Sequence, residues 1–188
     1  MRQRLTQGER GVSVIETLLV LGLFAVVSGM AVFQIGAARP AMRGDSAMRV
    51  VMAQMRTARE LAITERRYMR VTFTSPNKVE IVREEVPGPS TTVVGSTQLE
   101  GGMGYRLVTG VPDTPDAFGL GGAIDFGTAT NVKFTPDGTM VNQDGTTTNG
   151  SVYLAIANTA LSARAITVLG STGRIRGYRW DGRQWKLT

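Results

Sequence analysis

The chain has 188 residues, 42% of them apolar, and a formal charge of +6 from 21 basic against 15 acidic side chains. That is enough for one compact domain with an appendage. It holds no cysteine and no histidine, which excludes disulfides, thiolate metal sites and cysteine nucleophiles and removes the usual general base. The composition points away from an enzyme and implies no cofactor.

The chain opens with Arg2, Arg4 and Arg10 against Glu9, and Val12 to Ala38 then carries no charge except Glu16. About 20 mostly apolar residues span the hydrocarbon layer, whereas a secretory h-region runs to about 7–15. Length therefore favours a membrane anchor, while the small residues Gly36, Ala37 and Ala38 keep a signal-peptidase reading open. Arginines before the run favour a cytoplasmic N-terminus, with the bulk of the chain on the other side. A carboxylate within a membrane helix costs up to about 2.5–3.5 kcal/mol at the centre, less near the end, and usually has a partner. Residues 12–38 hold no basic side chain, so a partner for Glu16 has to come from outside the segment.

The stretch RGVSVIETLLVLGL resembles the class III signal of type IV prepilins and type II secretion pseudopilins: a short basic leader, a glycine, an apolar residue, and glutamate fifth after the cut. The resemblance implies cleavage between Gly11 and Val12 by a prepilin peptidase and methylation of the new N-terminus at Val12. It further implies that Glu16 neutralises the N-terminal amine of a neighbouring subunit during assembly. Val12 departs from the phenylalanine or methionine usual at that position. The implied place is the bacterial inner membrane, single-pass in its lipid, with the N-terminus cytoplasmic and the head periplasmic, and afterwards a pilus or pseudopilus.

Arg39-Pro40 and Gly44 are expected to bend or loosen the helix, because proline lacks a donor and restricts its predecessor. Asp45 or Ser46 is a candidate cap for a new start. Met48, Val51, Met52, Met55, Ala58 and Ala62 then recur at three- and four-residue spacing, which predicts one apolar stripe on a stalk helix packed against a head. Arg49, Arg56, Arg59 and Glu60 lie off that stripe.

From Tyr68 the period becomes two. YMRVTFT and KVEIVRE flank Ser75-Pro76-Asn77 and predict a hairpin. TTVV, GYRLV and AIDFG are weaker strand candidates, and VKFT, SVYLAIA and ARAITVL stronger ones. Glycine- and proline-rich loops are expected at 86–90 and 111–122. The expected fold class is α+β: a long N-terminal transmembrane and stalk helix on an antiparallel β-sheet or small β-sandwich head. The expected divisions are a leader at 1–11, an assembly helix at 12–38, its stalk continuation at 39–67 and the head at 68–188.

A helix followed by strands alone, with VKFTPDGTM, SVYLAIAN and AITVLGSTGRIR in order, is similar to the GspH/FimT branch of H-type minor pseudopilins and FimT-like minor pilins. This implies other pilin or pseudopilin subunits as partners, in a type IV pilus or a type II secretion pseudopilus.

Three further stretches bear on binding. DGTMVNQDGTTTNG carries Asp137, Asn142, Asp144 and Asn149 but not the spaced EF-hand pattern, so no metal site is assigned. GLGG at 119–122 lacks the strand, helix and lysine of a phosphate cradle. In TGRIRGYRWDGRQWKLT, an extended backbone puts Arg174, Arg176, Tyr178 and Trp180 on one side, and cations beside flat rings suit a polyanion. GRIR is also similar to the GRxR motif of FimT-like minor pilins. That resemblance implies DNA as a partner through Arg174 and Arg176, with Arg179 and Arg183 in support, for DNA uptake in natural transformation. The competing reading is a final hairpin turning at Asp181-Gly182, its rings covering the sheet and its arginines solvated, used for subunit contact.

Overall fold

The computed structural model describes residues 13–127 and 131–188, with side chains outside 32–37. Gly11 and Val12 lie outside the described residues. The chain divides into two compact units, Met1–Arg39 and Pro40–Thr188.

Helix α1 runs from Val14 to Glu65. In the first unit its stretch Val14–Ala31 has a mean hydropathy of 2.2 and no buried residue. Leucines, valines and phenylalanine at 18–27 stand in the open, an apolar surface that water does not tolerate at this extent. By length and composition this stretch can cross a membrane.

The helix does not end and start again near residue 40, as a cap at Asp45 or Ser46 would require. Pro40 lies inside the helix, and Asp45 and Ser46 are helical residues rather than caps. The Asp45 carboxylate instead accepts a hydrogen bond from Nε of Arg164 at 2.7 Å. A Cβ on Gly44 would stand 2.5 Å from the carbonyl oxygen of Ser162. Glycine thus serves here to bring the helix against a strand, not to end it.

Among the described residues of the second unit, eleven strands follow the helix. Sheet one is ordered β3 (Thr91–Gln98), β2 (Lys78–Glu84), β1 (Met69–Thr74), β6 (Asn131–Phe134), β7 (Met140–Val141). Sheet two is ordered β11 (Trp185–Leu187), β10 (Arg174–Trp180), β9 (Thr159–Leu169), β8 (Gly150–Ile156), β4 (Met103–Tyr105), with β5 (Ile124–Asp125) also paired to β8. Every pairing is antiparallel. The expected first hairpin forms, with Thr74 opposite Lys78 and Met69 opposite Arg83.

The alternation in β1 buries Met69, Val71 and Phe73. The helical stripe Met48, Val51, Met52, Met55, Ala58 and Ala62 is buried in the same cluster, together with Leu154, Ile166 and Val168 of sheet two. Helix and both sheets therefore share one core, and the fold class is α+β with the helix packed on antiparallel sheets. A smaller second cluster holds Tyr153, Ala163, Ala165, Tyr178, Trp180 and Trp185. Of the weaker candidates, TTVV extends into the eight residues of β3, whereas GYRLV is strand only as far as Tyr105 and AIDFG only at Ile124–Asp125.

Candidate functional site

Glu16 sits in the first turns of α1 and is exposed. It forms no ion pair with any described basic group. Beside it the Thr17 hydroxyl donates to the carbonyl of Val14 at 2.8 Å, which satisfies that hydroxyl within the helix and leaves the carboxylate as the open polar group. An exposed carboxylate on an uncovered apolar helix has the chemistry to accept a cation brought by another chain.

The second candidate is β10 and its surroundings. Alternation does place Arg176, Tyr178 and Trp180 on one face, but that face is covered. Trp180 and Trp185 rings meet edge on at 5.4 Å, and both are buried with Tyr178. The loop at 106–122 closes over them: Val108 and Val111 pack on the cluster, and the Trp185 indole N–H donates to the carbonyl of Pro112 at 2.8 Å. The rings are therefore not available for stacking on bases. A buried indole or phenol usually needs a partner for its polar end, and the loop supplies one to Trp185, Tyr178 and Tyr153.

The same loop carries Asp116, which holds the GRIR strand. Its carboxylate accepts from Arg176 at 2.7 Å, from the Tyr178 hydroxyl at 2.9 Å and from the Thr167 hydroxyl at 2.6 Å. Burial pushes the Asp116 carboxyl up, but those two hydroxyls and the Arg176 charge outweigh it and hold it below the ordinary aspartate range. The Tyr178 phenol is pushed up, first by burial and then by the hydrogen bond to Asp116. Three residues earlier, Asp113 accepts from the Tyr153 hydroxyl at 2.5 Å and from the Gly119 N–H at 3.0 Å. Arg176 is thus neutralised in place.

The other arginines of the tail differ. Arg179 lies 3.8 Å from Asp45 and is 48% exposed. Arg183 is exposed at the β10–β11 turn, where Asp181 accepts from the backbone N–H of Arg183 and Gln184 at 2.8 Å each. The Gln184 N–H, the Lys186 ammonium and the Arg183 N–H hold the Asp181 carboxyl well below its ordinary value. Arg174 is exposed, with no described carboxylate paired to it. The structure brings Arg176 and Arg179 to separate carboxylates and leaves Arg174 and Arg183 apart from them.

Glycine-rich segments are used internally. In GLGG the Gly121 N–H donates to Asp125 at 2.7 Å, so that amide already has its anion. In the DGTMVNQDG stretch Asn142 accepts from the N–H of Asp144 and Thr146 at 3.0 and 3.1 Å, a local turn. Gly173, the first residue of GRIR, has φ +62°, and a Cβ there would lie 2.1 Å from the carbonyl oxygen of Gly138. Its need is conformational and steric.

Arg164 is a residue whose role sequence reasoning missed. Its side chain has 0% exposure, and beyond Asp45 it donates to the carbonyls of Ala41, Ala163 and Leu161 at 2.7, 2.7 and 3.0 Å. A fork of donors fixed in one plane suits several acceptors at once. The available signal was period two: Arg164 shares a strand face with Ile166 and Val168, both fully buried.

Residues 47–173, more than half of the chain, match the family described as Type II transport protein GspH. The chain belongs to that family. The match begins in the buried helical stripe and ends at the turn before Arg174, so it covers the core of this GspH-family chain but neither Glu16 nor the last two strands. No curated protein matches it. Among solved structures, the type IV minor pilin FimU of Pseudomonas aeruginosa is similar, with 14% identity, a TM-score of 0.49, and coverage of 76% of this chain and 91% of that one.

Proposed function

We propose that this chain is a minor pilin or pseudopilin that is held in the inner membrane by residues 12–38 as a precursor with its head periplasmic. Prepilin peptidase cuts it between Gly11 and Val12, Val12 is methylated, and the subunit joins a type IV pilus or a type II secretion pseudopilus through its N-terminal helix. The observation that carries this reading is Glu16, an exposed carboxylate on an uncovered apolar helix, in a chain whose head belongs to the GspH family. In that setting a neighbour's terminal amine satisfies the carboxylate, and neighbouring helices cover the apolar surface. The test is recovery of the chain in sheared pilus or pseudopilus fractions. Glu16→Ala should leave the membrane level unchanged and abolish recovery in the assembled fraction; equal recovery of the variant sinks the assignment. The nucleic-acid reading of GRIR has no comparable support, because Arg176 is paired to Asp116 and Tyr178 and Trp180 are buried.

A further inference from the structure

β3 ends sheet one, with β2 on one side and, among the described residues, no strand on the other. A sheet edge offers a row of backbone N–H and C=O groups to any extended chain, and proteins blunt such edges by shortness, charge or proline. The other sheet ends are short: β7 has two residues, β11 and β4 three each. β3 has eight, TTVVGSTQ, with no charged residue and no proline. Thr91 to Val94, Ser96 and Gln98 are exposed.

The register places the free groups of this edge. Residues of an antiparallel ladder alternate between those that exchange both bonds with the neighbouring strand and those turned away from it. The Glu85 N–H donates to the Ser90 carbonyl at 2.9 Å and the Leu99 N–H to the Asn77 carbonyl at 2.8 Å, so Ser90 and Leu99 face β2. By alternation from each end Thr92, Gly95 and Thr97 face β2 as well, while Thr91, Val93, Ser96 and Gln98 turn outwards. Val94 is the extra residue of a bulge, since Val93 lies opposite Val82 and Gly95 opposite Ile81. The outward groups are therefore spaced by two, three and two residues.

That uneven spacing selects the partner. A regular strand presents its groups at every second residue, so it can meet Thr91 and Val93, or Ser96 and Gln98, but falls out of step across Val94. A second β3 running antiparallel repeats the same intervals in reverse. Thr91 then meets Gln98 of the second copy and Val93 meets its Ser96, about a two-fold axis between Val94 and Gly95. The faces agree too. Thr97 lies on the helix side, where its hydroxyl accepts from Gln54 at 3.0 Å, so Ser96 and Gln98 point to the outer face. Thr91 and Val93 do the same, opposite Glu84 and Val82, which alternate with the buried Ile81. Without the bulge this register would set an outer face against an inner one. No like charges meet, because β3 carries none.

We propose that β3 pairs with β3 of a second copy of this chain, joining two heads through one continuous sheet. Such a contact is closed and cannot propagate; on the reading of the chain as an assembling subunit, the pair is a form held before assembly. The pairing itself needs neither cleavage nor Glu16.

The chain has no cysteine, so single-cysteine variants of the full chain can be cross-linked without background. Thr91→Cys and isotope-labelled Gln98→Cys are mixed in micelles of an uncharged detergent, oxidised, and the dimers weighed by mass spectrometry. In the two-fold register residues 91 and 98 of opposite copies have Cα atoms about 5.5 Å apart, within disulfide reach. Each residue stands about 23 Å along the strands from its own counterpart. The mixed disulfide is therefore expected to exceed either self-disulfide by at least about tenfold. Ser96→Pro in both chains removes an outward N–H without touching the β2 ladder and should lower the mixed product by at least about tenfold. Val93→Lys with Ser96→Lys sets like charges opposite each other and should do the same, with far-UV circular dichroism confirming the fold of each variant. Glu16→Ala in both chains should leave the yield unchanged, which separates this result from any failure of assembly. No disulfide dimer, equal mixed and self products, a yield indifferent to both disruptions, or loss of product with Glu16→Ala would each overturn the assignment.

Discussion

Removing Arg164 should destabilise the head more than any exposed substitution, and the size follows from its contacts. The side chain is wholly buried and makes four hydrogen bonds: one to the Asp45 carboxylate and three to the carbonyls of Ala41, Leu161 and Ala163. Loss of the charge-assisted bond is worth about 1.5–3 kcal/mol, and carbonyls left without a donor cost about 1 kcal/mol each. Arg179 remains near Asp45 at 3.8 Å, so that carboxylate is not stranded, which limits the penalty. Arg164→Ala should therefore lose about 4 kcal/mol, a large share of the 5–15 kcal/mol typical of a folded domain. Urea unfolding reads this through Trp180 and Trp185, both buried. With a slope of about 2–3 kcal/mol/M, the midpoint should fall by about 1.3–2 M. Arg164→Lys should fall between the two, since an ammonium cannot serve four acceptors placed for a fork. A loss under about 1 kcal/mol for Arg164→Ala would refute the view that this arginine locks the helix to β9.

Gly173→Ala should destabilise by about 2 kcal/mol or more, because the site has positive φ and its Cβ would press on the Gly138 carbonyl; a midpoint equal to wild type in the same urea assay would contradict this. Asp116→Asn should cost about 1–2 kcal/mol at neutral pH through its weakened hydrogen bonds. Asp116 is held below its ordinary value in the folded state, so its contribution is complete above the unfolded value near about 4 and is lost as pH falls through the folded one. The gap between wild type and Asp116→Asn should therefore narrow on acidification below about pH 4, and a gap that widens there would show that the carboxylate is not what holds the loop.

The elements that local patterning controls were legible in the sequence. The stripe from Met48 to Ala62 and the β1–β2 hairpin declare themselves by period, and both bury the residues that period assigns. The resemblance in RGVSVIETLLVLGL rests on residues 10–23, and the match to the family rests on another part of the chain, residues 47–173. What stayed hidden is non-local. Asp45 reads as a cap from its neighbours, yet its partner Arg164 lies 119 residues away. The alternation in RIRGYRW was correct as to side, but nothing near it reveals that Asp116, 60 residues before Arg176, covers that side. The final hairpin with rings turned onto the sheet was the reading the packing favours, because two tryptophans and two tyrosines gain more from burial under a loop than from exposure. The uneven edge of β3 was invisible for a related reason: TTVV reads as strand by composition, but the bulge at Val94 exists only in its register with β2.

The measurement that tests the central claim most directly is the intact mass of the chain after co-expression with a prepilin peptidase. The expected product begins at Val12, having lost residues 1–11, carries a methyl group on its new amine, and fails to appear for Gly11→Ala. A wild-type chain recovered uncut, or cut at the same place in Gly11→Ala, would contradict the account.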